Sequence, residues 1–275
     1  MERIEQSFQS RVGQSALIPF LTAGDPTFED SLQLFRALLR AGADVIEIGI
    51  PYSDPLADGP VIQAAALRSL SHGFTLPRAF ELTAALRKET NKALILFTYV
   101  NPLLQYGYDK FFRDAASAGA DGVIVPDLPY EESSPVRAYA DAANVALIPL
   151  VTPTSGAERI EAIAKQARGF VYCVSSLGVT GERAQMSARV QDSVRTVRQF
   201  TSLPVAVGFG VSSVEQARYV STFADGVIVG SALVRRVEES TESPSASTVS
   251  RVEDFCKELS QAVVGDKIHL QEKEG

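Results

Sequence analysis

The spacing of apolar residues along this chain switches repeatedly between a helical and an extended period. Ile4, Phe8 and Val12 recur at helical spacing and predict a short leading helix over 2–12. An apolar run from Ala16 to Leu21 then ends at Thr22-Ala23-Gly24, which reads as a strand leaving into a loop. Thr27 and Asp30 have the spacing of a helix capping box, ahead of Leu34, Phe35, Leu38 and Leu39, and Gly42 stops that helix. The alternation continues to the end of the chain. Further strands are predicted from Asp44 to Ile50 and at Leu94–Tyr99, Gly122–Val125, Val145–Leu150, Gly169–Val174, Pro204–Val207 and Gly226–Val229. Between them lie helices after Pro60 and Pro77, near Asp109–Ala118 and Glu131–Ala142, and around Ala157–Ala167, Ala188–Phe200 and Ser213–Phe223.

Three helix-to-strand joints are worded almost alike: AGADVIEI at 41–48, AGADGVIV at 118–125 and FADGVIVG at 223–230. They mark an internally repeated βα unit. Short strands that are apolar throughout indicate a parallel sheet covered on its outer face by helices. Eight such units predict a single (β/α)8 TIM barrel, with an extra N-terminal helix and a short helix after the eighth strand. No domain boundary interrupts residues 1–264, and 265–275 read as a polar C-terminal tail. Residues 240–249 read as a Ser/Thr-rich loop before a last helix near 250–263.

Strand parity singles out one residue. If Ile46, Ile48 and Ile50 face the helix layer, then Val45, Glu47 and Gly49 face the barrel interior. A carboxylate there costs several kcal/mol unless it is paired or neutralised. Glu47 therefore reads either as a functional carboxylate or as one paired to a buried Arg or Lys. The strand is followed by a polar loop holding Asp54 and Asp58, closed by Gly59-Pro60. Asp58 alone could equally be a turn residue.

Composition removes several classes of function. The 275 residues carry a net charge of -7 with no basic stripe, which argues against nucleic acid or an anionic membrane as partner. Cys173 and Cys256 are far apart, and neither His72 nor His269 has a plausible ligand nearby in sequence, so no metal site is expected. No signal peptide or membrane-spanning run is visible, and the chain reads as cytoplasmic in type. In this barrel class the chemistry sits just after the strands' C-terminal ends. No lysine or histidine stands there, so a Schiff-base route lacks its nucleophile and acid–base work falls to Glu47, Asp54, Asp58 and Asp127. Asp127, between Pro126 and Pro129, reads equally as a shaper of a rigid loop. Glycine-rich turns at 178–182, 208–213 and 229–232 follow late strands, and the last two open into helices, as a phosphate cradle would require.

PFLTAGDP at 19–26, EIGIPYSDPLADGP at 47–60, YVNPL at 99–103, LGVTG at 177–181 and GFGVSS at 208–213 together resemble the α subunit of tryptophan synthase, over nearly the whole chain. The resemblance implies cleavage of indole-3-glycerol phosphate into indole and glyceraldehyde 3-phosphate, without a metal or cofactor on this chain. It implies Glu47 as general acid/base at the indole ring carbon, and Asp58 as partner of the indole N–H. Gly181, Gly210, Gly230 and Ser231 would hold the phosphate, with Phe209 adjacent. Phe20, Tyr99 and Tyr172 would line the indole pocket, and Thr180 would meet Asp58 when the loop 175–187 closes. Where many relatives carry Arg in that loop, this chain has Ser176. The family works as an α2β2 complex in which a β partner holds pyridoxal phosphate. Residues 51–57, Asn101 and Asp127–Pro129 match the docking side. Three other readings stay open at this level: another phosphosugar barrel, a non-catalytic barrel that binds a phosphorylated ligand and regulates a partner, and a stand-alone indole-releasing lyase.

Overall fold

The computed structural model describes residues 2–11, 13–175, 183–208, 210–238 and 246–265. Its strands are β1 (Ala16–Thr22), β2 (Val45–Gly49), β3 (Ala93–Phe97), β4 (Gly122–Ile124), β5 (Ala146–Ile148), β6 (Leu150–Val151), β7 (Val171–Val174), β8 (Val205–Gly208) and β9 (Gly226–Val229). All are parallel, and hydrogen bonding runs in the order β5-β4-β3-β2-β1-β9-β8-β7-β6. The two end strands of that order, β5 and β6, are separated along the chain by Pro149 alone. The chain therefore closes the ring itself, and the fold is a (β/α)8 barrel whose fifth strand is cut in two.

Sequence reading expects that strand to be continuous from Val145 to Leu150. Proline has no N–H to give to a ladder. Here Ala146–Ile148 pairs with β4, and Leu150–Val151 pairs with β7. The Pro149 carbonyl still accepts from the Tyr172 N–H at 3.0 Å, which keeps the wall joined.

The helices are α1 (Glu2–Gln9), α2 (Phe28–Arg40), α3 (Pro60–Ser71), α4 (Leu76–Arg87), α5 (Val100–Tyr106), α6 (Tyr108–Ala118), α7 (Ser133–Ala142), α8 (Ala157–Gln166), α9 (Arg183–Arg198), α10 (Val214–Ser221), α11 (Ser231–Glu238) and α12 (Ala246–Ala262). The capping box before α2 forms as the spacing implies, with Thr27 accepting from the Asp30 N–H and donating to its carboxylate at 2.7 Å. His72 ends α3 beside Gly73. Four expectations are corrected. Helix α5 is absent from the sequence reading, because it is only 7 residues long and Pro102 falls within it. Helix α7 is preceded by a separate 3-10 turn, Tyr130–Glu132. Helix α9 starts at Arg183 rather than near Ala188. Helix α12 starts at Ala246, so residues 246–249 are not loop. Val12, residues 176–182 and 266–275 lie outside the described residues.

The repeated Ala-Asp joint has a structural meaning. Asp44, Asp121 and Asp225 each stand just before a strand and accept from a backbone N–H of a neighbouring one: Leu17, Leu94 and Val205, each at 2.9 Å. Each carboxylate is also paired, Asp44 with Arg11, Asp121 with Arg3 and Arg87, and Asp225 with Arg198. Arg3 and Arg11 come from α1 and the turn after it, so the leading helix is tied to the barrel's N-terminal face by two buried carboxylates. A buried polar group is tolerated when such partners satisfy it. This face is built for stability, which leaves the opposite end for chemistry.

Candidate active site

Glu47 is buried midway along β2, with Phe20 as its register partner on β1 and Ile95 on β3. Its Oε2 has no hydrogen-bond partner, and no described ion pair includes it. The alternative reading, a carboxylate neutralised by a buried Arg or Lys, is thereby set aside. Burial pushes its pKa from 4.5 up to about 8, and the nearby negative charge of Asp58 adds to the rise. At neutral pH Glu47 is mainly protonated, a buried acid ready to give a proton.

Asp58 sits in the loop after β2, two residues before α3. A turn holds its backbone: its N–H donates to the Pro55 carbonyl at 3.0 Å, and Gln63 Nε2 donates to its own carbonyl at 2.7 Å. Burial raises its carboxyl to about 6, while the Tyr99 hydroxyl acts in the opposite direction. The pair is thus split, with Glu47 mostly protonated and Asp58 mostly ionised at pH 7. Separated protonation of two neighbouring carboxyls is what assigns acid and base roles.

Glu47 and Asp58 both line a cavity of about 210 Å³ at the C-terminal mouth of the barrel. Phe20, Tyr172, Gly210, Gly230 and Ser231 line the same cavity, so seven of the residues singled out from sequence meet there. Glycines shape its wall by necessity. A Cβ on Gly49 would stand 2.4 Å from the Phe20 ring, and one on Gly208 would stand 2.3 Å from the Tyr172 hydroxyl. Gly210 adopts φ +88°, a left-handed conformation that glycine takes without strain. Ser231 opens α11, where the first N–H groups have no partner inside the helix.

Tyr99 is placed differently from expectation. It is not among the residues lining the cavity; Phe97 and Phe20 are, with their rings edge to face at 5.7 Å. Tyr99 packs behind, against Phe97 and Tyr52. Its hydroxyl is buried without a closed hydrogen bond, and burial together with the Asp58 charge pushes its pKa upward. Burial likewise raises Tyr172, with Glu47 and Asp58 contributing. Asp127 serves as a cap, accepting from the Val100 N–H at the start of α5 at 2.9 Å. Asp54 is exposed. Thr180, Gly181 and Phe209 lie outside the described residues, as does Ser176. Sequence reading missed Ile62, Phe97, Val211 and Ile228 in the wall. Parity would have found Phe97, two residues after Ile95, the β3 register partner of Glu47, whereas Ile62 carries no such signal.

Among the described residues no cluster of three metal-ligating side chains occurs, and no helix is long and apolar enough to cross a membrane. A closed parallel barrel with two carboxyls of divided protonation at its catalytic mouth has the layout of an acid–base barrel enzyme. Comparison with known proteins narrows this. The family profile of the tryptophan synthase alpha chain matches residues 8–264. The tryptophan synthase alpha chain of Synechococcus elongatus is 52% identical over 252 residues, covering 91% of this chain and 92% of the relative. The structure of the alpha subunit from Legionella pneumophila superposes with a TM-score of 0.87 at 36% identity, covering 96% of this chain and 98% of that one. A tryptophan synthase structure from Mycobacterium tuberculosis gives a TM-score of 0.86 at 37% identity, covering 96% and 98%. The chain belongs to the tryptophan synthase alpha chain family. Its activity is that of a lyase in tryptophan biosynthesis, cleaving indole-3-glycerol phosphate to indole and glyceraldehyde 3-phosphate.

Proposed function

We propose that Glu47 is the general acid and base of this cleavage and that Asp58 steadies the indole nitrogen. The observation that carries the reading is the buried Glu47 carboxyl, its Oε2 without a hydrogen-bond partner and its pKa raised to about 8, inside a cavity it shares with Asp58. Protonated Glu47 gives its proton to the ring carbon that bears the glycerol chain, and ionised Asp58 offsets the positive charge that develops at the ring N–H. The Glu47 carboxylate then takes the proton of the adjacent side-chain hydroxyl. As that oxygen becomes the aldehyde, the carbon–carbon bond breaks and its electron pair restores the indole. Proton transfer by one positioned group typically supplies 10²–10⁴-fold in rate.

Gly210, Gly230, Ser231 and the start of α11 would receive the phosphate, together with Gly181 and the Phe209 turn. The ring would lie against Phe20, Phe97 and Tyr172, with Tyr99 acting on Asp58 from behind and Thr180 meeting Asp58 over bound substrate. This chemistry needs proton transfers only, so the chain would work without a cofactor of its own. The reading includes docking to a tryptophan synthase β subunit that carries pyridoxal phosphate, in an α2β2 assembly in the cytoplasm. On the matching side Asn101 donates to the Tyr52 hydroxyl at 2.9 Å, and Leu56 and Leu104 are 79% and 58% exposed, which suits a protein partner better than water.

The test is indole release from indole-3-glycerol phosphate with the β subunit present and serine omitted, comparing wild type with Glu47→Gln. Loss of at least about 10²-fold in the variant supports the role. Release that survives the substitution moves the proton transfer away from Glu47.

A further inference from the structure

The strand order fixes which wall of the cavity faces the phosphate cradle. Gly210 lies two residues past β8, and Gly230 directly follows β9. With β5 and β6 counted as one strand the ring has eight members. The hydrogen-bonded order β3-β2-β1-β9-β8 then puts β3 four steps from β8, on the opposite side of the barrel. Glu47 on β2 stands between them. Phe97, the last residue of β3, therefore faces the phosphate glycines from across the cavity.

The Phe97 ring is held there by a seat that depends on glycine. Gly49 is its register partner and stands two residues beyond Glu47, on the same face of β2. With no side chain at Gly49, the Phe20 ring reaches from β1 across β2 and meets Phe97 edge to face, at 5.7 Å and 82°. Tyr99 adds a second edge-to-face contact to Phe97 at 6.2 Å. Phe20 and Phe97 are each buried. A ring gripped by two others in a close-packed interior cannot turn aside without moving them. The cavity is also small: about 210 Å³, against roughly 300–1,000 Å³ for ligand pockets in general. An added group on the substrate finds little slack.

We propose that Phe97 is a specificity-determining residue, which stops the benzo edge of the indole and selects substrates that carry no substituent at C6. The inference rests on the contacts proposed for Glu47, Asp58 and the phosphate glycines, because these orient the ring. With C3 at Glu47 and the glycerol phosphate drawn toward β8 and β9, C6 is the ring carbon furthest from C3 and points at β3. C7 lies beside the ring nitrogen and faces Asp58 instead. A methyl at C6 must displace the Phe97 ring, whereas one at C7 meets the loop after β2.

The experiment measures kcat/KM for indole-3-glycerol phosphate and its 6-methyl and 7-methyl derivatives, with the β subunit present and serine omitted. Wild type should disfavour the 6-methyl substrate at least about ten-fold, the lower end of what one methyl decides in an apolar pocket. Phe97→Leu keeps the wall apolar but shortens it, and should recover most of that factor; Phe97→Ala should recover at least as much. The ratio of 7-methyl to parent substrate should stay as in wild type. Each ratio is taken within one protein, so a smaller folded fraction cancels, and the leucine variant answers the question alone if the alanine variant does not fold. Equal cleavage of 6-methyl and parent substrates by wild type, a 6-methyl ratio unmoved in the variants, or equal gains for 6-methyl and 7-methyl would each overturn the assignment. Glu47→Gln separates the two readings. Collapse of that variant with unmoved ratios refutes Phe97 alone, and release that survives it refutes the acid–base role while the expected ratios still support Phe97.

Discussion

Replacing Glu47 with Gln should make the folded chain more stable relative to wild type as pH rises. In the fold Glu47 holds its proton up to about pH 8, against an ordinary 4.5 in the unfolded chain. Between those values the folded state binds more protons than the unfolded one, so wild type loses stability with rising pH. The contribution is fully present below about 4.5, falls across the window, and is gone above about 8. At about 1.4 kcal/mol per unit the whole span amounts to roughly 5 kcal/mol, and its share by pH 7 to about 3. Gln keeps the shape of the side chain and cannot ionise. The stability difference, variant minus wild type, should therefore grow by several kcal/mol from pH 5 to pH 8 and then level off. Urea unfolding of both proteins at pH 5, 6, 7, 8 and 9 measures it, free of any assumption about substrate. Asp58 titrates in both proteins, and removing the Glu47 charge shifts that background only in part of the window. A difference that stays flat from pH 5 to 9 would show that Glu47 ionises normally. The division of protonation on which its acid role depends would then be wrong.

Other expectations concern activity and packing. The pH profile of kcat/KM for indole release should rise near 6, as Asp58 ionises, and fall near 8, as Glu47 loses its proton; a flat profile between 5 and 9 refutes the assignment. Tyr99→Phe should move the rising limb to higher pH, because the hydroxyl that holds the Asp58 carboxyl down is gone; an unmoved limb would mean that Tyr99 does not act on Asp58. Gly208→Ala should reduce kcat/KM by at least about ten-fold with far-UV circular dichroism unchanged, since the new methyl would stand 2.3 Å from the Tyr172 hydroxyl; wild-type kinetics would show that the ring has room to move. Arg68→Met strips the buried Asp25 carboxyl of a guanidinium held by two 2.9 Å contacts, in a place where burial already pushes its pKa up. A cost of about 3–5 kcal/mol in urea unfolding is expected, and one below 1 would count against the pair.

Much of the barrel was legible because its signals are local. A strand buried on both faces must be apolar throughout, and a helix must start and stop on a few residue types, so strand count, helix order and the Thr27 cap could all be read in one dimension. The Ala-Asp repeat was legible as a repeat but not as a device. Nothing in the wording of AGADV says that Asp44 reaches back to the Leu17 N–H, a contact across 27 residues. Helix α5 and the break at Pro149 were missed for a related reason: each is decided by what neighbouring strands and loops supply, and a 7-residue helix has too little periodicity to announce itself.

Parity on β2 went further, since it put Glu47 inside the barrel, but it could not say whether an Arg or Lys waited there to pair with it. That question turns on every side chain facing the same interior, contributed by strands spread over the whole chain. The structure answers it through what is missing around Glu47, and through what stands beside it instead: aromatic rings, glycines, and one other carboxyl on a loop. Like charge and low polarity act in the same direction on Glu47, which keeps its proton at neutral pH. The same surroundings raise Asp58 less, because it is only half buried where Glu47 is fully buried, and the Tyr99 hydroxyl acts against the rise. Part of the difference between two carboxyls 11 residues apart in sequence thus comes from a tyrosine 41 residues further on, which sequence reading had assigned to the substrate wall.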